Sequence, residues 1–102
     1  MKILSDEEQQ AVLQDAVDTF GLNNQQKVLQ EECGELIVAA SHYQRGRHGA
    51  YDNFVEELAD VSIMVKQMLY ALGCDEMFEH ICEAKIARLK NRIEEYKITN
   101  KL

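Results

Sequence analysis

Two acidic strings carry the reactive chemistry of this chain: Glu31-Glu32-Cys33-Gly34-Glu35-Leu36 and Glu56-Glu57-Leu58-Ala59-Asp60-Val61. Each sets two carboxylates three residues apart within helical sequence. Residues three apart lie on one side of a helix about one turn apart, so Glu32 with Glu35, and Glu57 with Asp60, each present two oxygen donors to one region of space. Hard divalent cations take that donor type. Mg²⁺ in particular is held by few carboxylates, keeps several waters and completes its shell with phosphate oxygens.

The apolar pattern sets where these acids point. At roughly 100° of turn per residue, Val28, Leu36 and Tyr43 share one side of a helix and Glu32 falls between Val28 and Leu36, facing inward. In the next helix Phe54, Leu58, Val61, Val65, Met68 and Leu72 form the expected core stripe. Glu57 lies at its border and Asp60 one position further out. Carboxylates gathered beside a core repel one another and lose hydration, so protonation, basic partners or a cation must compensate. Against this stands the plainer reading that Glu is a good helix former and that such pairs recur on solvated faces.

The elements that must position the acids are legible from their punctuation. Ser5 with Glu8 forms a capping box that opens a first helix through Ala11, Val12, Ala16, Val17 and Phe20, and Gly21 closes it. Asn23 or Asn24 is expected to cap a second helix reaching near Tyr43. Gln44-Arg45-Gly46-Arg47-His48-Gly49 then reads as a basic loop. Asp52 is expected to cap a third helix ending at Leu72 before Gly73. A fourth starts near Asp75 and carries Met77, Phe78, Ile81, Ile86, Leu89 and Ile93 at helical spacing, with a polar tail after Tyr96. The two acidic helices form a weak pseudo-repeat, each opening its string with Glu-Glu. No proline and few glycines interrupt them, and strand-like alternation is absent. The expectation is an all-α antiparallel bundle of about four helices, with sites built from facing helices.

At 102 residues the chain reads as a single domain, 1–102, small enough that association would add burial, so an oligomer is expected. A net charge of −7 argues against nucleic acid, whose backbone is bound by concentrated Lys and Arg. It also makes any anionic substrate dependent on cations to neutralise the carboxylates. Three cysteines, Cys33, Cys74 and Cys82, lack disulfide-framework spacing, which suits a reducing cytosol and reads as core thiols. The N-terminal residues lack the apolar run of a signal peptide, and the longest apolar run, Leu36 to Ala40, is too short for a bilayer. A cytoplasmic protein without membrane association is expected. Cys74, His80 and Cys82 make a poor zinc set, with no C-x-x-C pair. His42 and His48 lie near the basic loop, and Phe20, Tyr43, Tyr51 and Phe54 are better explained by core packing than by base stacking.

Glu32-x-x-Glu35, an intervening Gly/Arg loop and Glu57-Leu58-Ala59-Asp60-Val61 together resemble the MazG-like family of all-α nucleoside triphosphate pyrophosphohydrolases, whose motif is E-x-x-E followed by E-x-x-D. The likeness spans roughly residues 24 to 92. It implies a helical core that forms a homodimer or homotetramer, with Mg²⁺, or Mn²⁺ in its place, held by Glu32, Glu35, Glu57 and Asp60. The implied reaction cleaves a nucleoside triphosphate between its α and β phosphates, releasing the monophosphate and pyrophosphate. Glu35, with Glu32 beside it, is the candidate for activating water. Glu31 points about 100° away from Glu32 and is an outer candidate. Lys85, Arg88 and Arg92, on one side of the fourth helix, resemble the basic residues that follow the acidic motifs in the family and are candidates for binding phosphate. Pairing with Glu83, Glu94 or Glu95 is the competing account. Arg45 and Arg47 could reach phosphates from the loop. Two other classes stay open: a helical association module without catalysis, and a divalent-cation binding protein without turnover.

Overall fold

A computed structural model describes residues 3–100 as four helices: α1 Asp6–Phe20, α2 Leu22–Gln44, α3 Ala50–Leu72 and α4 Asp75–Thr99, with no strand among the described residues. They fall into two compact units, Met1–Leu72 with α1 to α3 and Gly73–Leu102 with α4.

Local chemistry explains where the helices start and stop. The Ser5 side chain accepts from the Glu8 N–H while the Glu8 carboxylate accepts from the Ser5 N–H, the reciprocal cap anticipated from the spacing. Gly21, at φ 89°, both ends α1 through its N–H to Val17 and serves as the N-cap of α2. The expectation of an asparagine cap is therefore corrected: Asn23 and Asn24 lie inside α2, and Asn24 Nδ2 donates back to the Phe20 carbonyl at 2.8 Å. The physical reason is that one residue in a conformation open to glycine reverses the chain without a separate linker. Asp52 likewise sits in the first turn of α3 rather than capping it, since the helix begins at Ala50; an acid there still favours the positive end of the helix dipole. The C-terminal residues after Tyr96 continue α4 to Thr99.

In the first unit, α2 and α3 are antiparallel neighbours. Contacts nest towards the connecting loop 45–49: Gln25 with Gln67, and Tyr43 with Tyr51. At the far end, Gln25 Nε2 donates to Gln67 Oε1 at 2.7 Å, and both side chains are buried. Near the loop, Tyr43 packs on Phe54 and Tyr51 with ring centroids 5.4 and 6.1 Å apart. α1 closes on the pair, placing Val17 inside and Asp18 within 3.1 Å of the Tyr70 hydroxyl, which donates to it. The Asp18 carboxylate raises the Tyr70 hydroxyl pKa by holding its proton.

The buried residues are few and small: Val17, Ala39, Ala50, Met64 and Met68. The face of α3 that turns inward runs through Glu57, Val61, Met64 and Met68, while Leu58 and Leu72 of the expected stripe are exposed. Phe20, Tyr43 and Tyr51 are exposed, and Cys33 is an exposed rather than a core thiol.

α4, described by itself, begins after Cys74 and buries none of its residues. Its one described ion pair, Lys90 to Glu94 at 3.7 Å, is solvated on both sides.

Candidate metal centre

Antiparallel pairing of α2 and α3 brings carboxylates from both acidic strings to one point. Glu32 and Glu35 on α2 and Glu57 on α3 each offer an oxygen, and these three atoms lie within 4.8 Å of one another. Sequence spacing supplies the α2 pair, because an i, i+3 step stacks Glu32 and Glu35 on one side. The inward rotation of α3 supplies Glu57. Its neighbour Asp60 is half-buried and stands outside this three-atom group, close enough for its charge to act on Glu32 and Glu57.

The electrostatics are those of a site short of positive charge. Glu32 is pushed up from 4.5 to about 7, first by desolvation and then by the charges of Glu35, Asp60 and Glu57. Glu57 is raised for the same kinds of reason, with desolvation again first, followed by Glu35 and Asp60. Glu32 Oε2 and Glu57 Oε2 are buried and accept no hydrogen bond from the protein. A buried acceptor without a donor costs free energy, and two beside each other cost more. An all-oxygen carboxylate donor set with two inward, unpartnered oxygens fits a hard divalent cation such as Mg²⁺ or Mn²⁺.

Comparison with family models, curated proteins and solved structures gave no significant match.

An open cleft of about 500 Å³ between α2 and α3 is lined by Glu31, Gly34, Glu35, Val38, His42, Asn53 and Glu57. Glu35 is an exposed lining residue, and half-buried Glu32 is not among the residues that line the cleft. Glu31, an outer candidate by sequence, lines this cleft. At the loop end, Arg47 Nη1 lies 3.2 Å from His42 Nε2. Arginine is an obligate donor, so that contact needs an unprotonated Nε2.

Lys85, Arg88 and Arg92 are exposed residues of α4. Among the described residues, the cluster of Glu32, Glu35 and Glu57 is the one group of acids, histidines or cysteines with metal-ligand spacing, so Cys74, His80 and Cys82 do not converge. Sequence reasoning missed Asn53 and Gly34 as cleft residues. Asn53 is one turn before Glu57, a relation that points to the cleft once the inward face of α3 is known. No described helix is long and apolar enough to cross a membrane.

Proposed function

We propose that this chain is a metal-dependent nucleoside triphosphate pyrophosphohydrolase, resembling the MazG-like all-α enzymes. The observation that carries this reading is the convergence of three carboxylates from both halves of the motif, two of them with buried oxygens that no protein group satisfies. Glu32 and Glu57, the half-buried pair, would hold the ion from the core side, with Asp60 completing the motif from its flank. When bound, Mg²⁺ would neutralise the phosphates and polarise the phosphoryl oxygens.

The chain's own groups account for the remaining chemistry. Glu35 is exposed and lines the cleft, so its carboxylate is open to a water. Its carboxylate would orient that water and take its proton as the water oxygen bonds to the α phosphorus. The bond from the α phosphorus to the αβ bridging oxygen breaks, and pyrophosphate leaves with the electron pair. Lys85, Arg88 and Arg92 are proposed as phosphate-binding residues, since an acidic chain needs basic groups to hold a polyanion.

We further propose that the active form is a homodimer or homotetramer. Ile37, Val55, Leu58 and Ile63 stand exposed on the first unit, an amount of apolar side chain that association would cover. Three free cysteines agree with a reducing cytoplasm. Of the other classes, an association module is favoured by one observation, that α4 buries no residue despite its apolar positions.

The test is incubation with each common ribo- and deoxyribonucleoside triphosphate and Mg²⁺ in ¹⁸O-water, following monophosphate and pyrophosphate. Label in the monophosphate is the expected result. A folded protein without turnover across the panel would overturn the hydrolase reading, and cation binding that vanishes in Glu57→Gln would then leave a binding protein.

A further inference from the structure

Gly34 is a glycine in the middle of α2, where the residue costs helix stability and needs a reason. Its φ is not positive, and a Cβ built on it would meet nothing within 4 Å, so neither backbone conformation nor packing within the protein requires it. What lies beside it is the cleft. Gly34 lines that cleft one residue from Glu35, and Val38 and His42 continue the same wall along α2, facing Asn53 and Glu57 of α3. The cleft's volume of about 500 Å³ is that of a small-molecule site.

We propose that this cleft is the nucleoside subsite of the site described above, with Gly34 kept as glycine because the ligand occupies the space its side chain would take. The inference rests on the hydrolase reading for the triphosphate but concerns where the sugar and base lie. Charge selects this part of the ligand over the polyphosphate. Glu31, Glu35 and Glu57 make the walls anionic and repel free phosphates, whereas an uncharged sugar and base incur no such repulsion. His42 lies seven residues beyond Glu35, about 10 Å along the helix, so the cleft runs from a cation-binding end to a polar end where the His42 ring meets the Arg47 guanidinium. There the Asn53 amide offers both a donor and an acceptor, and the His42 ring, engaged through Nε2, keeps its second nitrogen available to a base edge. Val38 supplies an apolar surface for the ring face.

The deciding variants are Gly34→Ala, His42→Ala and Asn53→Ala, assayed on the full chain. Alanine at 34 should raise the melting temperature by a few degrees and leave the Mg²⁺-induced rise intact, while raising KM for nucleoside triphosphates on the order of tenfold. Asn53→Ala and His42→Ala should alter the relative kcat/KM among the four bases. Inorganic tripolyphosphate, as a competitive inhibitor, should keep its wild-type inhibition constant in all three variants. If turnover proceeds but Gly34→Ala and Asn53→Ala leave KM and base ranking unchanged, the subsite is overturned and the hydrolase stands. Weakened tripolyphosphate inhibition in these variants would also overturn it, because the cleft would then hold the phosphate tail. If wild type shows no turnover, calorimetry with the four nucleoside monophosphates and Mg²⁺ decides: binding lost in Gly34→Ala and Asn53→Ala supports the subsite without the hydrolase, and binding indifferent to them overturns it.

Discussion

The α2–α3 hairpin and α4 are built from helices of similar length, 23, 23 and 25 residues, and both carry apolar residues at helical spacing, yet only the hairpin has an interior. It buries Gln25, Ala39, Ala50, Met64, Gln67 and Met68, whereas Met77, Phe78, Ile81, Ile86, Leu89 and Ile93 of α4 all stand exposed. Periodicity makes a face available for burial; a facing surface decides whether it is buried. The same contrast governs charge. Acids in the hairpin lose water and repel one another, so that Glu32 is held near 7, while Lys90 and Glu94 of α4 remain hydrated. A carboxylate acquires unusual chemistry from its neighbours, not from its residue type.

Cavity-forming substitutions would break this comparison most directly. Met64→Ala should cost about 2–5 kcal/mol in urea unfolding, while Leu89→Ala in α4 should cost far less. An equal loss at Leu89 would mean that α4 is covered in the assembled protein, which would support the proposed oligomer. Metal comes next. At one hundred times its dissociation constant, Mg²⁺ should stabilise the protein by about 2.7 kcal/mol. That corresponds to a rise in melting temperature on the order of 10 °C for a domain of this size. Glu57→Gln should abolish the rise, and no rise in wild type at millimolar metal would remove the proposed centre.

Truncation of the buried amide pair is expected to be of similar or smaller size. Gln67→Ala should cost about 1–3 kcal/mol, because Gln25 is left buried without its partner. A smaller effect follows from pH. Glu32 holds its proton more tightly in the folded state, with its pKa raised from 4.5 to about 7, so the stability linked to this group is fully present below about 4.5 and is lost as pH rises through about 7. The metal-free melting temperature should therefore fall between pH 5 and 8, and Glu32→Gln should flatten that slope. Stabilisation by Mg²⁺ should grow over the same interval, since cation and proton compete for these oxygens. Smallest of all, Glu94→Ala should change stability by under about 0.5 kcal/mol, as expected of a solvated i, i+4 pair.

Much of the fold was legible in residue order. The Ser5–Glu8 box, Gly21 and Gly73 as stops, and the boundaries near Gln44 and Asp75 follow from chemistry confined to a few neighbouring residues. Less legible were the exact caps of α2 and α3, because Asn23, Asn24 and Asp52 are good caps that the chain passes over once a nearby glycine has made the turn. The candidate site divides the same way. Glu32 and Glu35 could be paired from spacing alone, and the place of Glu57 at the border of the apolar stripe pointed to it as their partner, but the separate standing of Asp60 could not be read from residue order. Cys33 and Phe20 misled for a related reason: an apolar residue type states a preference for burial, and in a chain with so small an interior many such residues are left outside.

By itself, the amino-acid order determined four helices, their ends and two carboxylate pairs, since capping, propensity and the i, i+3 relation act within one or two turns. Only the tertiary structure decided which side of α3 meets α2. The rotation of a helix about its own axis is set by how the two facing surfaces pack, and here it turned Glu57 towards Glu32 and Glu35.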